Sequence, residues 1–293
     1  MLWWQCFFTC VAQVARGQLM GINFLKKRAE ERFNVEYVPS FPALAIVCIL
    51  CLYAPMAPLL FYSFNDSTLL TVWHGFSWQW YESAWNNERV QEVTFRSLGL
   101  AFQASLYSTI LATMAALATT RVAKYRGQGT IYAVINQPLM VPEIVTAVAL
   151  LILFGSIKVA TGYQGSAYLV LAHTAFCIPF SYLPIRARLE NMNLSLERAA
   201  ADLYASPWRT FKKVTFPLLF PGILAGAMLA FVISLDDVVI TEFVKTPGKD
   251  TLPTYMLGEL RREVTPEINA ISSVLFVVSI MLVGITFLIS SKK

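Results

Sequence analysis

Three carboxylates stand in or beside strongly apolar stretches of this chain: Glu143, directly after Pro142, and the adjacent pair Asp236 and Asp237. An ionised side chain at the centre of a bilayer costs about 2.5–3.5 kcal/mol on insertion scales, so such residues face a polar interior and are candidates for a charged solute's pathway. The chemistry they offer is reversible ion pairing, in which a carboxylate replaces part of the water that a cation such as an ammonium group loses on leaving solution. Asp236 and Asp237 have a second reading, at an external interface where a carboxylate costs little. Pro138 and Pro142 are expected to free backbone carbonyls and bend the chain beside Glu143.

Other reactive residue types do not gather into a site. His74 and His173 each stand alone, which usually means a structural role. Cys48 and Cys51 have the spacing of a redox or metal motif, but no His or acid neighbours them; buried packing is expected and no metal site. Neither that pair nor Cys6 with Cys10 supports a disulfide framework. No Gly-x-x-x-x-Gly-Lys-[Ser/Thr] pattern can be laid on the sequence, so this chain is not itself an ATPase. No Ser–His–Asp or Cys–His set is recognisable either. The expectation is a protein with no catalytic residues and no bound cofactor.

The elements that would hold the carboxylates follow from composition. Hydrophobic residues make up 56% of the 293 and charged residues 14%, where a soluble chain averages about a quarter charged. That leaves too little polar surface to coat a globule, and an all-α membrane protein is expected. A spanning helix needs roughly 20 mostly apolar residues, and six stretches qualify or nearly so: 41–63, 97–120, 131–156, 166–185, 216–239 and 269–290. Residues 1–40 form an N-terminal cytoplasmic or interfacial segment ahead of a membrane domain at 41–290. Residues 1–12 are apolar but too short to span and lack a preceding basic region, unlike a secretory signal. They read as an interfacial anchor, or as upstream of a true start at Met20.

Lys and Arg accumulate in cytoplasmic loops. Most of the 23 here lie at Arg16–Arg32, at Arg121, Lys124 and Arg126, between Arg186 and Lys213, and at Lys292 and Lys293. Both termini and the 186–215 loop are therefore expected in the cytoplasm. Residues 64–96, rich in tryptophan, and 242–267 are expected outside, with the tryptophans in the interfacial belt.

Within the 186–215 loop, Leu196, Ala199, Ala200 and Leu203 fall at helical spacing and give a short amphipathic helix. Ser195 is placed to cap it, and Glu197 suits the positive end of its dipole. A second helix is expected from Ser206, with Pro207 in its first position. Two helices joined at Tyr204-Ala205 would make a knob whose small alanine face fits a groove on another protein.

The segment Leu196-Glu-Arg-Ala-Ala-Ala-Asp202-Leu-Tyr-Ala-Ser206-Pro-Trp208, followed by Val214-Thr-Phe-Pro-Leu-Leu-Phe-Pro-Gly222, resembles the EAA coupling loop of binding-protein-dependent ABC importer permeases. Two positions depart from that pattern: Arg198 stands where the motif has Glu, and Tyr204 where it has Gly. The likeness runs over roughly 41–290. Tyr62-Ser-Phe-Asn65, Met140-Val-Pro-Glu-Ile144, His173-Thr-Ala-Phe-Cys177, Ser234-Leu-Asp-Asp-Val-Val239, Thr251-Leu-Pro253 and Val264-Thr-Pro-Glu-Ile-Asn-Ala270 narrow it to the permeases of spermidine/putrescine importers.

The resemblance implies six transmembrane helices of the type I ABC importer permease fold, multi-pass in the bacterial inner membrane. Its implied partners are a second permease, ATP-binding subunits that use the ATP, a periplasmic substrate-binding protein and membrane lipid, and no nucleic acid. It implies that Leu196, Glu197, Ala199, Ala200, Asp202, Leu203, Tyr204, Ser206 and Pro207 dock on the ATPase. Glu143, Asp236 and Asp237 would line the translocation pathway. A permease for another small organic cation or solute is the nearest alternative. An ion-coupled secondary transporter is the alternative in a different class, though the internal repeats such folds carry are not evident.

Overall fold

The structure, a computed structural model, describes residues 40–67, 72–122, 125–163, 165–262 and 266–291. The apolar 1–12 segment, the basic residues from Arg16 to Arg32, and Lys124, Lys292 and Lys293 lie outside the described residues. Two units are distinguished, 1–61 and 62–293. In the first, α1 (Ser40–Tyr53) and α2 (Met56–Tyr62) are bent by 45° at Ala54-Pro55. Cys48 and Cys51 are exposed on α1, not buried as expected, because an apolar helix suited to lipid can turn small apolar side chains outward as readily as inward.

In the second unit α3 (Gln79–Asn86) leads into α4 (Glu88–Thr120), whose cap Asn87 accepts from the backbone N–H groups of Arg89 and Val90. Then come α5 (Gln128–Met140), α6 (Glu143–Thr161), α7 (Ala167–Glu190) and α8 (Ser195–Asp202). A run from Pro207 to Leu235 comprises α9 (Pro207–Thr210), a π turn (Phe211–Thr215) and α10 (Phe216–Leu235). The chain closes with α11 (Val239–Val244), α12 (Leu252–Arg262) and α13 (Pro266–Ser291).

The stretch 131–156 is two helices. Val141, which precedes a proline, sits at ψ 137°, in the extended region such residues prefer, and Pro142 has no N–H to continue a ladder. The stretch 216–239 begins earlier and ends earlier than expected: the helical run starts at Pro207 and stops at Leu235, so both aspartates follow its end. Among the described residues, four helices are long and apolar enough to cross a membrane (α4, α6, α7 and the 207–235 run), five if the bent α1–α2 pair is one span, with a shorter apolar helix at Pro266–Leu282.

The core is a close bundle of α4, α7 and α10. Helices in lipid gain little from apolar burial and associate through small residues and hydrogen bonds. Accordingly α4 turns Ala101, Ala104, Ser105, Ser108, Ala112 and Ala116 inward. Ser105 Oγ donates to Ala227 O at 2.6 Å, and Ser181 Oγ to Gly226 O at 3.2 Å. Gly222 and Gly226 let α10 lie on α7: a Cβ on Gly226 would stand 2.7 Å from Ser181 O.

Contacts sort the loops into two ends. At one, Arg121 meets Glu197, Arg188 Nε donates to Leu218 O, and Gln128 reaches Thr119 O. At the other, Arg89 meets Asp250, Asn87 donates to Glu267, and Leu252 N–H donates to Ser97.

Candidate functional site

The break at Val141-Pro142 starts α6 at Glu143, and the end of α10 at Leu235 releases Asp236 and Asp237 into a short link before α11. Packing of α11 on α6 and α7 brings these breaks together. Glu143, half-buried, lies close enough to Asp237 and Asp236 for the carboxyls to act on one another electrostatically. All three predicted carboxylates thus share one site. Thr146, one turn along α6 from Glu143, has a buried hydroxyl with no hydrogen-bond partner among the described residues.

The two aspartates have different surroundings. Asp236 ends α10, its N–H donating to Val232 O, and its residue surface is exposed. Asp237 has a side chain 0% exposed. Its Oδ2 accepts from Thr241 N–H and Thr241 Oγ1, each at 2.9 Å, and its Oδ1 from Ile240 N–H at 3.4 Å. It caps α11, whose free N–H groups favour a carboxylate.

His173, read from sequence as a lone structural histidine, lies in this cluster. Its Nδ1 is 2.8 Å from Ser234 Oγ, its Nε2 2.9 Å from Thr241 Oγ1 and 3.5 Å from Asp237 Oδ2. His173, Ser234 and Thr241 were missed because they are distant in sequence, on α7, α10 and α11. The available signal was a polar residue within an apolar span, the argument already applied to the acids. An apolar shell of Ala147, Phe176, Cys177, Phe180, Ala230 and Ile240 surrounds the cluster.

The second candidate surface is the 193–215 loop. Its two helices and their junction at Tyr204-Ala205 are as expected, and Ser206 Oγ accepts from Arg209 N–H to cap α9. The cap of α8 is a correction. Asn193 Oδ1 accepts from Ser195 N–H at 2.9 Å, whereas Ser195 makes no capping bond. Leu194 already has helical dihedrals, which moves the start of the turn and leaves Ser195 inside it. Arg198 is then no longer at the position where Glu would complete a capping box.

At the other end of α8, Tyr204 adopts φ 57°, the only non-glycine among the described residues with positive φ. Ala205 N–H bonds to Ala200 O and Tyr204 N–H to Ala201 O, the paired bonds of a Schellman closure, which ordinarily uses Gly. Leu196, Ala199 and Leu203 of the predicted stripe are exposed and Ala200 is half-buried; Leu203 is 82% and Tyr204 98% exposed. Asp202 and Pro207 are exposed too. Glu197 turns the other way. Its Oε1 accepts from Arg121 Nε at 3.1 Å and Thr215 Oγ1 at 3.0 Å, which buckles the knob to α4 and to the root of α10.

An ionic clasp stands at the opposite end of the bundle. Asp250 pairs with Arg89 and Lys245, each at 2.8 Å, and Lys245 also meets Glu242 on α11.

Residues 108–292 match the family described as "Binding-protein-dependent transport system inner membrane component". The chain is 39% identical over 227 residues to the putrescine transport system permease protein PotI of Escherichia coli, covering 76% of this chain and 81% of that one. It is 36% identical over 242 residues to the spermidine/putrescine transport system permease protein PotC of Haemophilus influenzae, covering 83% and 93%. Among solved structures, a bacterial ABC transporter involved in import of the polysaccharide alginate aligns with TM-score 0.66 at 14% identity, over 86% of this chain and 93% of that chain. The MetNI methionine ABC transporter in an inward-facing conformation aligns with TM-score 0.55 at 16% identity, over 70% and 97%. At these identities the structural likeness speaks for the fold alone.

Proposed function

We infer the function from one premise: this chain belongs to the family of binding-protein-dependent transport system inner membrane components. It is the permease subunit of an ABC importer for polyamines of the putrescine and spermidine class, multi-pass in the inner membrane. It is not an enzyme, and the ATP is used by a partner subunit. The observation that carries the substrate class is likeness to polyamine permeases over about four-fifths of the chain. The clustered carboxylates agree with it chemically, since polyamines are flexible chains of ammonium groups.

The finer arrangement has six crossings: the α1–α2 pair, α4, the broken α5–α6 pair, α7, the 207–235 run and α13. The basic residues Arg121, Arg186, Arg188, Arg209, Lys212 and Lys213 put their end of the bundle in the cytoplasm, along with both termini. The exposed apolar residues of the 193–215 knob dock on the ATPase, a second permease completes the pathway, and the periplasmic binding protein delivers the substrate. Residues 41–290 form the permease domain, with 1–40 on the cytoplasmic side or at the interface. Glu143 and Asp236 meet the substrate's ammonium directly; Asp237 shares the site from a buried position.

The test is uptake of labelled putrescine into vesicles that hold the full complex. Transport is expected to need ATP and the soluble binding protein. Asp236→Asn and Glu143→Gln are expected to raise KM about tenfold or more, because a hydrogen bond to a charged group is worth about 1.5–3 kcal/mol, while the complex still assembles. Uptake driven by a proton or sodium gradient without ATP would favour the secondary-transporter alternative. Unchanged KM in both variants would remove the carboxylates from the pathway.

A further inference from the structure

With Asp237 ionised, the contacts around His173 admit one direction of hydrogen bonding. Thr241 has one hydroxyl proton, and it goes to Asp237 Oδ2 at 2.9 Å. The 2.9 Å contact between Thr241 Oγ1 and His173 Nε2 must then take its proton from the imidazole. The 3.5 Å approach of Nε2 to Asp237 Oδ2 agrees, since a bare nitrogen lone pair would be repelled there. With Nε2 protonated, the neutral ring accepts at Nδ1, and Ser234 Oγ, 2.8 Å away, donates to it. Donation runs from Ser234 to His173 to Thr241 to Asp237, each proton used once.

We propose that His173 is a positioning residue for substrate recognition: acting through Thr241, it fixes the rotamer of Asp237 and thereby the placement of Glu143 against the substrate's ammonium. This rests on the pathway reading above. A carboxylate has about four acceptor positions. The Oδ2 edge of Asp237 is filled by two short bonds, while Oδ1 receives only the 3.4 Å bond from Ile240 N–H. Oδ1 is therefore the edge with capacity left for a donor such as the substrate's ammonium, and Glu143 is the second carboxyl near enough to act on it. Rotation of Asp237 would exchange the two edges, and the Thr241 hydroxyl held by His173 opposes it.

Burial makes the constraint effective. His173 is 1% exposed and Thr241 0%, so water does not readily replace a lost donor, and a buried carboxylate short of a partner relaxes toward another one. The chain also crosses elements: His173 on α7, Ser234 on α10 and Thr241 on α11 clamp the link that carries both aspartates.

The experiment measures KM and kcat of labelled putrescine uptake in the reconstituted complex with its ATPase and binding protein. Thr241→Val keeps the side-chain shape and removes the hydroxyl; it is expected to raise KM about tenfold with kcat within about twofold. His173→Leu is expected to do the same. His173→Gln, whose amide N–H reaches near the imidazole Nε2 position, is expected to recover most of the wild-type KM. The proposal is overturned if Thr241→Val leaves KM unchanged, if it lowers kcat with KM intact, or if Gln at 173 is no better than Leu. Should His173→Leu fail to assemble, the near-isosteric Thr241→Val decides. Glu143→Gln and Asp236→Asn run alongside separate the two failures. If they raise KM and Thr241→Val does not, only the positioning role falls; if they too are silent, the pathway reading falls and takes this proposal with it.

Discussion

Tyr204 holds a left-handed conformation at φ 57° with its ring 98% exposed, so no packing of its own offsets the strain. A non-glycine residue in that region costs about 1–2 kcal/mol. Tyr204→Gly is therefore expected to stabilise the closure of α8 by about 1 kcal/mol, less the entropy glycine adds to the open form. Amide exchange at Tyr204 and Ala205, measured in the permease without its ATPase, should slow about fivefold. Faster exchange would show that the ring, not the backbone, holds the turn. This residue was legible in the sequence because it departs from a motif whose Gly has a known mechanical reason. The cap at the other end was not: Asn193 and Ser195 are both good capping residues, and only the helical dihedrals of Leu194 decide between them. His173 was illegible for a related reason, since a histidine's role depends on neighbours 61 and 68 positions away in the chain.

At the scale of elements, the close approach of α10 to α7 depends on Gly226. Gly226→Ala would place its Cβ 2.7 Å from the backbone oxygen of Ser181, which cannot swing aside as a side chain does. Overpacking of this kind costs about 1–3 kcal/mol, and the variant should show a lower melting temperature in detergent; unchanged melting would mean that the helices part freely there. A bend beside Glu143 was legible from Pro142; its completion as a break between α5 and α6 was not. The π turn at 211–215 was not foreseen, although Pro217 supplies a reason: its ring would clash with the carbonyl four residues back, and the wider turn, with Phe216 N–H on Phe211 O, moves the ladder off that carbonyl. The clasp that ties α4 to the loop after α11 carries a pH prediction. Partial burial pushes the Asp250 carboxyl up, but hydrogen bonds and charge from Lys245 and Arg89 outweigh it and hold the group below the usual carboxylate range. A depressed acid adds stability above its unfolded pKa, about 3.9, and loses it as pH falls through the still lower folded value. Spin labels at Glu88 and Lys249 should thus keep one distance from pH 8 to about 5 and spread only below about 4, whereas Asp250→Asn should spread at every pH. Spreading of the wild type near neutral pH would overturn this.

For the whole molecule, the membrane class followed from composition, and four or five of the expected spans from apolar length, because both depend on sums over many residues that no single contact reverses. How the crossings pack did not follow: α6 and α7 are both apolar, yet only 6% of the apolar window of α6 is buried within this chain against 56% for α7. Which face meets lipid or a partner is a tertiary fact. The topology is testable by thiol labelling in a background lacking Cys6, Cys10, Cys48, Cys51 and Cys177. A reagent confined to the outside should modify Lys249→Cys and spare Lys212→Cys, and the reverse pattern would invert the orientation. The unbroken run from Pro207 to Leu235 then sets what kind of force crosses the bilayer. Its 29 residues make a rod about 43 Å long, continuous in helical backbone through the π turn near its start. A twist imposed at Trp208 is passed toward Ser234, less whatever the π turn absorbs. On the proposed docking of the ATPase at the 193–215 knob, torque as well as displacement passes along this run.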